Sequence, residues 1–239
     1  MDIQLFIPCY VDQLYPATAL NTVKILEKAG CKVHYNSRQT CCGQPAFNSG
    51  YLKEASKMAI KFLADFDAEM PVVSPSSSCA GYIKRHYHKL LTDKPVLLQQ
   101  YEKMKGAIYE LSDFLVNVLR IENLDAHFPH RVTYHDSCSA LRAYGIKDEP
   151  RRLLSNVKGL ELVEMADSEA CCGFGGVFAV KNSAISTAMA DKKVLSALEA
   201  GAEFIVSTEA TCLMNINAYC SKQQIPVKGI HLADILSNC

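Results

Sequence analysis

Eight of the eleven cysteines in this chain recur in a single pattern. Cys41-Cys42-Gly43 and Cys171-Cys172-Gly173 are vicinal pairs, each closed by glycine. A lone cysteine precedes each pair, Cys9 across 31 intervening residues and Cys138 across 32. Another follows each, Cys79 after 36 residues and Cys212 after 39. Thiolates are soft metal ligands, and four of them match the usual complement of an iron–sulfur cluster or a closed zinc site. Adjacent cysteines suit a polynuclear cluster, where each sulfur holds a different iron. Zinc-binding cysteines are more often separated by two to four residues. The pattern therefore points to iron–sulfur clusters, up to one per repeat; 4Fe-4S is the expected type, but spacing alone does not fix the nuclearity. Zinc in one repeat stays open, because the glycine contexts differ: Gly43 alone, against Gly173-Phe174-Gly175-Gly176. Such glycines allow a tight backbone whose N–H groups can approach sulfur.

The elements that must position these thiols are also written twice. Ile3–Ile7 and Arg131–Tyr134 read as strands that end just before the lone cysteines. A helix follows with Leu20, Val23 and Leu26 on one face, stopped by Gly30; its counterpart carries Leu153, Leu154 and Val157 and is stopped by Gly159. Second strands, Lys32–Tyr35 and Leu160–Met165, lead into the vicinal pairs. Next come helices over 52–66 and 184–199, then third strands Pro71–Ser74 and Phe204–Ser207 running into Cys79 and Cys212. The halves close on related phrases, Leu111-Ser112-Asp113-Phe114-Leu115 and Leu232-Ala233-Asp234-Ile235-Leu236, with about a dozen extra residues in the first half near Thr92 to Lys103. The expected fold is α/β: two tandem repeats, 1–125 and 126–239, each a Rossmann-like β-α-β-α-β-α unit with a parallel sheet. Consecutive βα units gather the C-terminal strand ends on one edge, so cysteines far apart in sequence converge there.

Composition narrows the setting. The 239 residues carry 25 basic and 25 acidic side chains, with 49% hydrophobic residues, enough for a substantial core. Charge neutrality without a basic block argues against nucleic-acid binding. No apolar run suits a membrane span, and no basic n-region opens the chain, so a cytoplasmic setting is expected. There, clustered cysteines read as metal or redox ligands before they read as disulfides. No G-x-G-x-x-G loop opens a βα unit and no P-loop is present, so no flavin, nicotinamide or nucleotide site is indicated. No catalytic residue is assigned.

Several phrases carry a resemblance: Ile7-Pro8-Cys9-Tyr10-Val11-Asp12, Thr40-Cys41-Cys42-Gly43-Gln44-Pro45, Ser76-Ser77-Ser78-Cys79-Ala80-Gly81, Tyr134-His135-Asp136-Ser137-Cys138 and Cys171-Cys172-Gly173-Phe174-Gly175-Gly176. On these the chain resembles the cysteine-rich (CCG) domain family. That family includes the CCG-bearing component of heterodisulfide reductase, iron–sulfur components of glycolate and anaerobic glycerol-3-phosphate dehydrogenases, and the lactate utilisation A proteins, to which the likeness is greatest. The resemblance spans the whole chain. It implies an iron–sulfur electron-transfer subunit of a system oxidising L-lactate, or a related 2-hydroxy acid, to pyruvate, with lactate utilisation proteins B and C as partners. The cluster ligands it implies are Cys9, Cys41, Cys42 and Cys79 in one half and Cys138, Cys171, Cys172 and Cys212 in the other. A thiol-disulfide reductase of the heterodisulfide type and a zinc-stabilised interaction module are the alternatives. The reductase version carries a closing Cys-x-x-Cys; here the positions three before and three after Cys79 are Ser76 and Tyr82, and around Cys212 they are Glu209 and Asn215.

The remaining candidates read more modestly. Ser76 and Glu209 are oxygen donors in principle, but their residue types suit caps or turns. His135-Asp136 invites an acid–base reading, against a histidine standing behind the ligands with Asp136 capping the next helix. Cys31 reads as a small buried apolar residue, and Cys220 and Cys239 as thiols outside the repeat. His86 and His88 read as ordinary partly exposed helix positions. His231 stands where the first half has Glu110, and so is not a shared ligand.

Overall fold

The computed structural model describes residues 1–238; Cys239 lies outside them. The first half contains β1 (Asp2–Leu5), β2 (Lys32–Tyr35), β3 (Val72–Ser74) and β4 (Ile108–Glu110), in the order β2-β1-β3-β4. The second contains β5 (Arg131–Tyr134), β6 (Glu161–Leu162), β7 (Phe204–Ser207) and β8 (Lys228–His231), in the order β6-β5-β7-β8. Every pairing is parallel. The expected α/β architecture of two parallel-sheet units is thus present. A fourth strand in each sheet goes beyond the three expected per half. Both are short and sit at the edge, directly before the closing phrase, with too little apolar patterning to stand out.

Strand chemistry follows position. In β3 all three residues, Val72, Val73 and Ser74, are buried, as expected of a strand covered on both faces. The edge strand β2 buries none of its four residues fully. Parallel neighbours need crossovers, and helices Pro16–Lys28, Leu52–Asp65 and Ser183–Glu199 supply three of them. The chain leaves β1 toward β2 on one side and returns to β3 on the other. The C-terminal ends of β1 and β3 therefore flank a point where strand order reverses, the usual ligand crevice of open α/β sheets. The extra first-half residues form the helix Pro95–Ala107, tied down by Gln100 Nε2 to the Leu63 carbonyl (2.7 Å) and Tyr101 Oη to the Lys84 carbonyl (2.6 Å).

The two halves share a core. The closing helix Leu232–Leu236 packs on Pro16–Lys28 of the first half, where Asp234 accepts from Thr18 Oγ1 (2.8 Å) and Asn21 Nδ2 (3.0 Å). In reverse, a π-helical stretch, Phe114–Val118, meets helix Asp148–Leu154 of the second half, and Asn117 donates to Glu149 (2.9 Å). One buried cluster accordingly joins Ile3, Leu5, Ile25 and Leu26 to Leu153, Leu154, Leu232 and Ile235. This exchange corrects the expected stripe of the helix after β1. Thr18, Thr22, Ile25 and Leu26 are buried, whereas Leu20 is 64% exposed. The face follows Asp234 of the closing helix rather than apolar periodicity alone.

Candidate metal centres

Each cysteine stands at or beyond the C-terminal end of a strand, as the topology requires. Cys9 opens the short helix Cys9–Leu14 after β1, and Cys41-Cys42 follow β2. Cys79 lies in the first turn of helix Ser77–Leu90 after β3. In the second half Cys138, Cys171-Cys172 and Cys212 occupy the matching places, Cys212 in the first turn of helix Ala210–Gln223. First-turn positions favour a thiolate, since the helix end presents positive dipole and free N–H groups.

The four sulfurs of the first half lie close together. Cys9 Sγ donates to Cys41 Sγ at 3.6 Å and Cys42 Sγ to Cys79 Sγ at 3.2 Å. The Gly43 N–H reaches Cys41 Sγ at 3.4 Å, and Gly173 repeats this on Cys171 at 3.4 Å. Gly43 (φ +91°) and Gly173 (φ +87°) both need the left-handed region. Both also need a bare Cα: a Cβ on Gly43 would lie 2.9 Å from Met58 Cβ, and one on Gly173 only 2.6 Å from the Ser186 carbonyl oxygen. Hydrogen bonds from Cys42, Cys9 and Gly43 pull Cys41 down to about 3, while those same contacts with Cys41 push Cys9 and Cys42 up. In the second half Cys171 falls to about 2 through bonds from Cys138, Cys172 and Gly173. Cys212 falls to about 7, first through a bond from Cys172 and then through the neighbouring His135. Cys41 in one set and Cys171 and Cys212 in the other are thus biased toward thiolate, the form that binds metal, while their hydrogen-bonding neighbours Cys9, Cys42, Cys138 and Cys172 are pushed the other way.

Carbonyl positions are held by different residues in the two halves. Tyr87 Oη donates to the Cys42 carbonyl and Asn215 Nδ2 to the Cys172 carbonyl, each at 2.8 Å. All eight repeat cysteines line one cavity of about 820 Å³. Tyr10 of the first half and Phe174 of the second meet edge to face beside it, with ring centroids 5.8 Å apart. Convergence of both sets on a single chamber was not readable from spacing, because it depends on how the two sheets face each other.

The lesser candidates find definite places. Ser76 is an N-cap, accepting from Cys79 N at 3.4 Å. Glu209 does not cap its own helix. It reaches into the first half, accepting from Ser78 N (2.9 Å) and Ser76 Oγ (3.1 Å), while Thr211 Oγ1 holds its other oxygen at 2.9 Å. Asp136 is not a cap either, contrary to expectation; Ser137 Oγ takes that role from Ala140 N at 3.1 Å. Asp136 instead receives both terminal nitrogens of Arg151 at 2.7 Å, a buried fork-like pair that fixes the end of β5. His135 is fully buried, with neither ring nitrogen hydrogen-bonded. One ring nitrogen and the sulfurs of Cys172 and Cys212 lie within 4.8 Å of one another. Cys31 and Cys220 are buried, and burial raises both thiols, so they sit in the fold as inert small side chains. His88 is exposed and His86 half-buried against the Phe47 ring at 5.0 Å. His231 and Glu110 both cap the closing helices: His231 Nδ1 accepts from Ala233 N (3.1 Å) and Glu110 from Ser112 N (2.8 Å). What the repeat conceals is that imidazole and carboxylate can do the same capping work.

These residues fit a thiolate-bound metal group. The donors are soft, two glycine N–H groups already meet sulfur, and the buried unpaired imidazole faces the second set. No helix among the described residues is long and apolar enough to cross a membrane.

The cysteine-rich domain (CCG) family matches the chain twice, at residues 3–84 and 132–217. The chain is similar to Lactate utilization protein A of Halalkalibacterium halodurans, 42% identical over 238 residues covering all of this chain and 97% of that protein. It is 40% identical over 238 residues to Lactate utilization protein A of Bacillus subtilis, covering both chains fully. Among solved structures, a hypothetical protein from Helicobacter pylori shares the fold with a TM-score of 0.64 at 15% identity. That likeness covers 98% of this chain, which spans about half (48%) of the other.

Proposed function

This chain belongs to the cysteine-rich (CCG) domain family, alongside the Lactate utilization protein A members, and on that premise we propose that it is an iron–sulfur electron-transfer subunit of a system oxidising L-lactate, or a related 2-hydroxy acid, to pyruvate. The observation that carries this reading is the gathering of all eight repeat cysteines on one cavity. Cys9, Cys41, Cys42 and Cys79 would hold one cluster within repeat 1–125. Cys138, Cys171, Cys172 and Cys212 would hold the other within repeat 126–239. A bound 4Fe-4S group supplies one-electron storage. The chain's own residues supply thiolates, glycine N–H groups and walls that limit water. Counterparts of lactate utilisation proteins B and C would be the partners, in the cytoplasm, with substrate oxidation completed only in their company.

A second reading is favoured by one particular observation. His135, Cys172 and Cys212 form a compact nitrogen–sulfur set of the kind zinc takes, and with one further cysteine of the set closing the tetrahedron the second site would be structural. The electron-transfer reading is tested by mixing the iron-loaded chain with its partner proteins under argon and adding L-lactate. Loss of visible absorbance that requires both lactate and partners supports it. A chain that bleaches with a chemical reductant yet never with lactate contradicts it.

A further inference from the structure

The two cysteine sets share a framework but not what stands behind it. Matching Cys9 to Cys138 lays β1 on β5 and puts Phe6 where the second half has His135. The close approaches of Gly43 to Met58 and of Gly173 to Met189 set the register of the following helices. That register puts Phe62 where the second half has Lys193. In the first half Phe6 and Phe62 stack edge to face at 5.2 Å within the same apolar cluster as Cys42 and Cys79. Buried polar atoms without a partner on this side include the Tyr82 hydroxyl, Ser74 Oγ and His86 Nδ1.

In the second half both aromatic places are taken by nitrogen. His135 is held rigidly: its backbone N–H donates to the Val206 carbonyl (2.8 Å) and its carbonyl accepts from Ser207 Oγ (3.0 Å). The ring is fully buried, and neither of its nitrogens has a hydrogen-bond partner. An imidazole always carries at least one N–H, and leaving such a donor buried and unpaired is costly. The nearby acceptors are sulfurs, those of Cys172 and Cys212. Lys193 is 1% exposed, its amine donating to the carbonyls of Asp167 and Ser168 (the latter at 3.1 Å) on the loop that leads into Cys171.

We propose that His135 is a positioning residue of the second centre, donating its ring N–H to sulfur at Cys172 and Cys212 with Lys193 behind it, so that this centre is the more easily reduced of the two and a single shared electron resides there. The proposal rests on the iron–sulfur reading above. Hydrogen bonds to sulfur and nearby positive charge stabilise the negative charge added on reduction, and an aromatic wall offers neither. The Tyr82 hydroxyl is buried in that apolar cluster with no hydrogen-bond partner, and it carries no charge.

The test uses full-length chains loaded with iron and sulfide, each midpoint assigned through the single-site variants Cys42→Ser and Cys172→Ser. Spectroscopic redox titration is expected to give a higher midpoint for the second centre. His135→Phe, which copies the first half, is expected to keep its iron and lower that midpoint toward the first centre's. His135→Gln, which retains an N–H donor, is expected to recover most of the difference. Lys193→Met should lower the same midpoint and leave the first unmoved. Equal midpoints in the wild-type chain, or an unmoved midpoint in iron-replete His135→Phe, overturn the proposal alone. Loss of the second centre's iron in that variant, or nitrogen hyperfine coupling of a directly bound imidazole in the wild type, makes His135 a ligand and overturns it too. A wild-type chain that takes up no iron overturns the underlying reading as well.

Discussion

The first and second halves keep the same sheet order and the same cysteine places, yet differ wherever a side chain looks across to the other half. Ser76 caps its own helix; Glu209, at the matching place, leaves its helix uncapped and braces the first half's. Glu110 turns to its own closing helix and leaves Oε1 buried without a partner, whereas His231 caps its helix and meets the Pro75 carbonyl of the first half at 2.9 Å. Glu209 and His231 of the second half therefore both brace the segment between β3 and Cys79, at Ser78 and Pro75. A duplicated framework tolerates such divergence because the backbone, not these contacts, sets the positions of the ligands. What has diverged is the support and surroundings of each set.

The largest expected effect separates the halves outright. Cys42→Ser and Cys172→Ser should each remove about half of the bound iron, leaving the other centre's visible spectrum intact. If either substitution empties both sites, the halves are not independent metal centres. The next contrast is in pH. Burial pushes the Glu110 carboxyl up to about 8, so the folded chain binds this proton more tightly than the unfolded chain. Stability from Glu110 is thus present at low pH and lost as pH rises from about 4.5 through about 8. The loss is of order 3–5 kcal/mol at most. Burial lowers His231, which reverses the sign: its contribution holds at neutral pH and is lost as pH falls through and below the ordinary histidine range. Urea unfolding across that span should show Glu110→Gln flattening the loss on the alkaline side and His231→Gln flattening it on the acid side. Unchanged profiles would mean that the two caps do not titrate with folding.

Two smaller contrasts sharpen the packing. Gly173→Ala meets a backbone oxygen and Gly43→Ala a side-chain carbon, both at positive φ. Gly173→Ala should cost about 2–4 kcal/mol and Gly43→Ala about 1–2 kcal/mol less, read from unfolding midpoints. Equal costs would mean that the helix Ser183–Glu199 yields more readily than its fixed carbonyl suggests. Glu209→Ala strips acceptors from a buried helix end and should cost about 2 kcal/mol, against about 1 kcal/mol for Ser76→Ala. The reverse order would remove Glu209 as the brace between halves.

Much of this was legible in the chain. Cysteine intervals and strand-like runs such as Phe204–Ser207 are local features, and local features survive in a sequence. The facing of the two sets was not legible, because it depends on exchanged packing of the closing helices. Leu20 shows why: its helix turns Thr18 and Asn21 toward Asp234 from more than two hundred residues away and buries Thr22 on the Thr18 carbonyl, so a polar face lies inside and a leucine outside. Asp136 shows the same limit at short range, since it pairs with Arg151 and Ser137 takes the cap. The equivalence of Phe6 with His135 becomes visible only once β1 and β5 are aligned by their cysteines.

The proposed function requires two iron–sulfur centres around the one cavity that all eight repeat cysteines line. The most direct test is to purify the chain anaerobically and count iron, acid-labile sulfide and zinc per chain beside the visible spectrum. About eight irons with matching sulfide and a brown protein are the predicted result. A colourless protein with no iron and one or two tightly held zinc ions would contradict it.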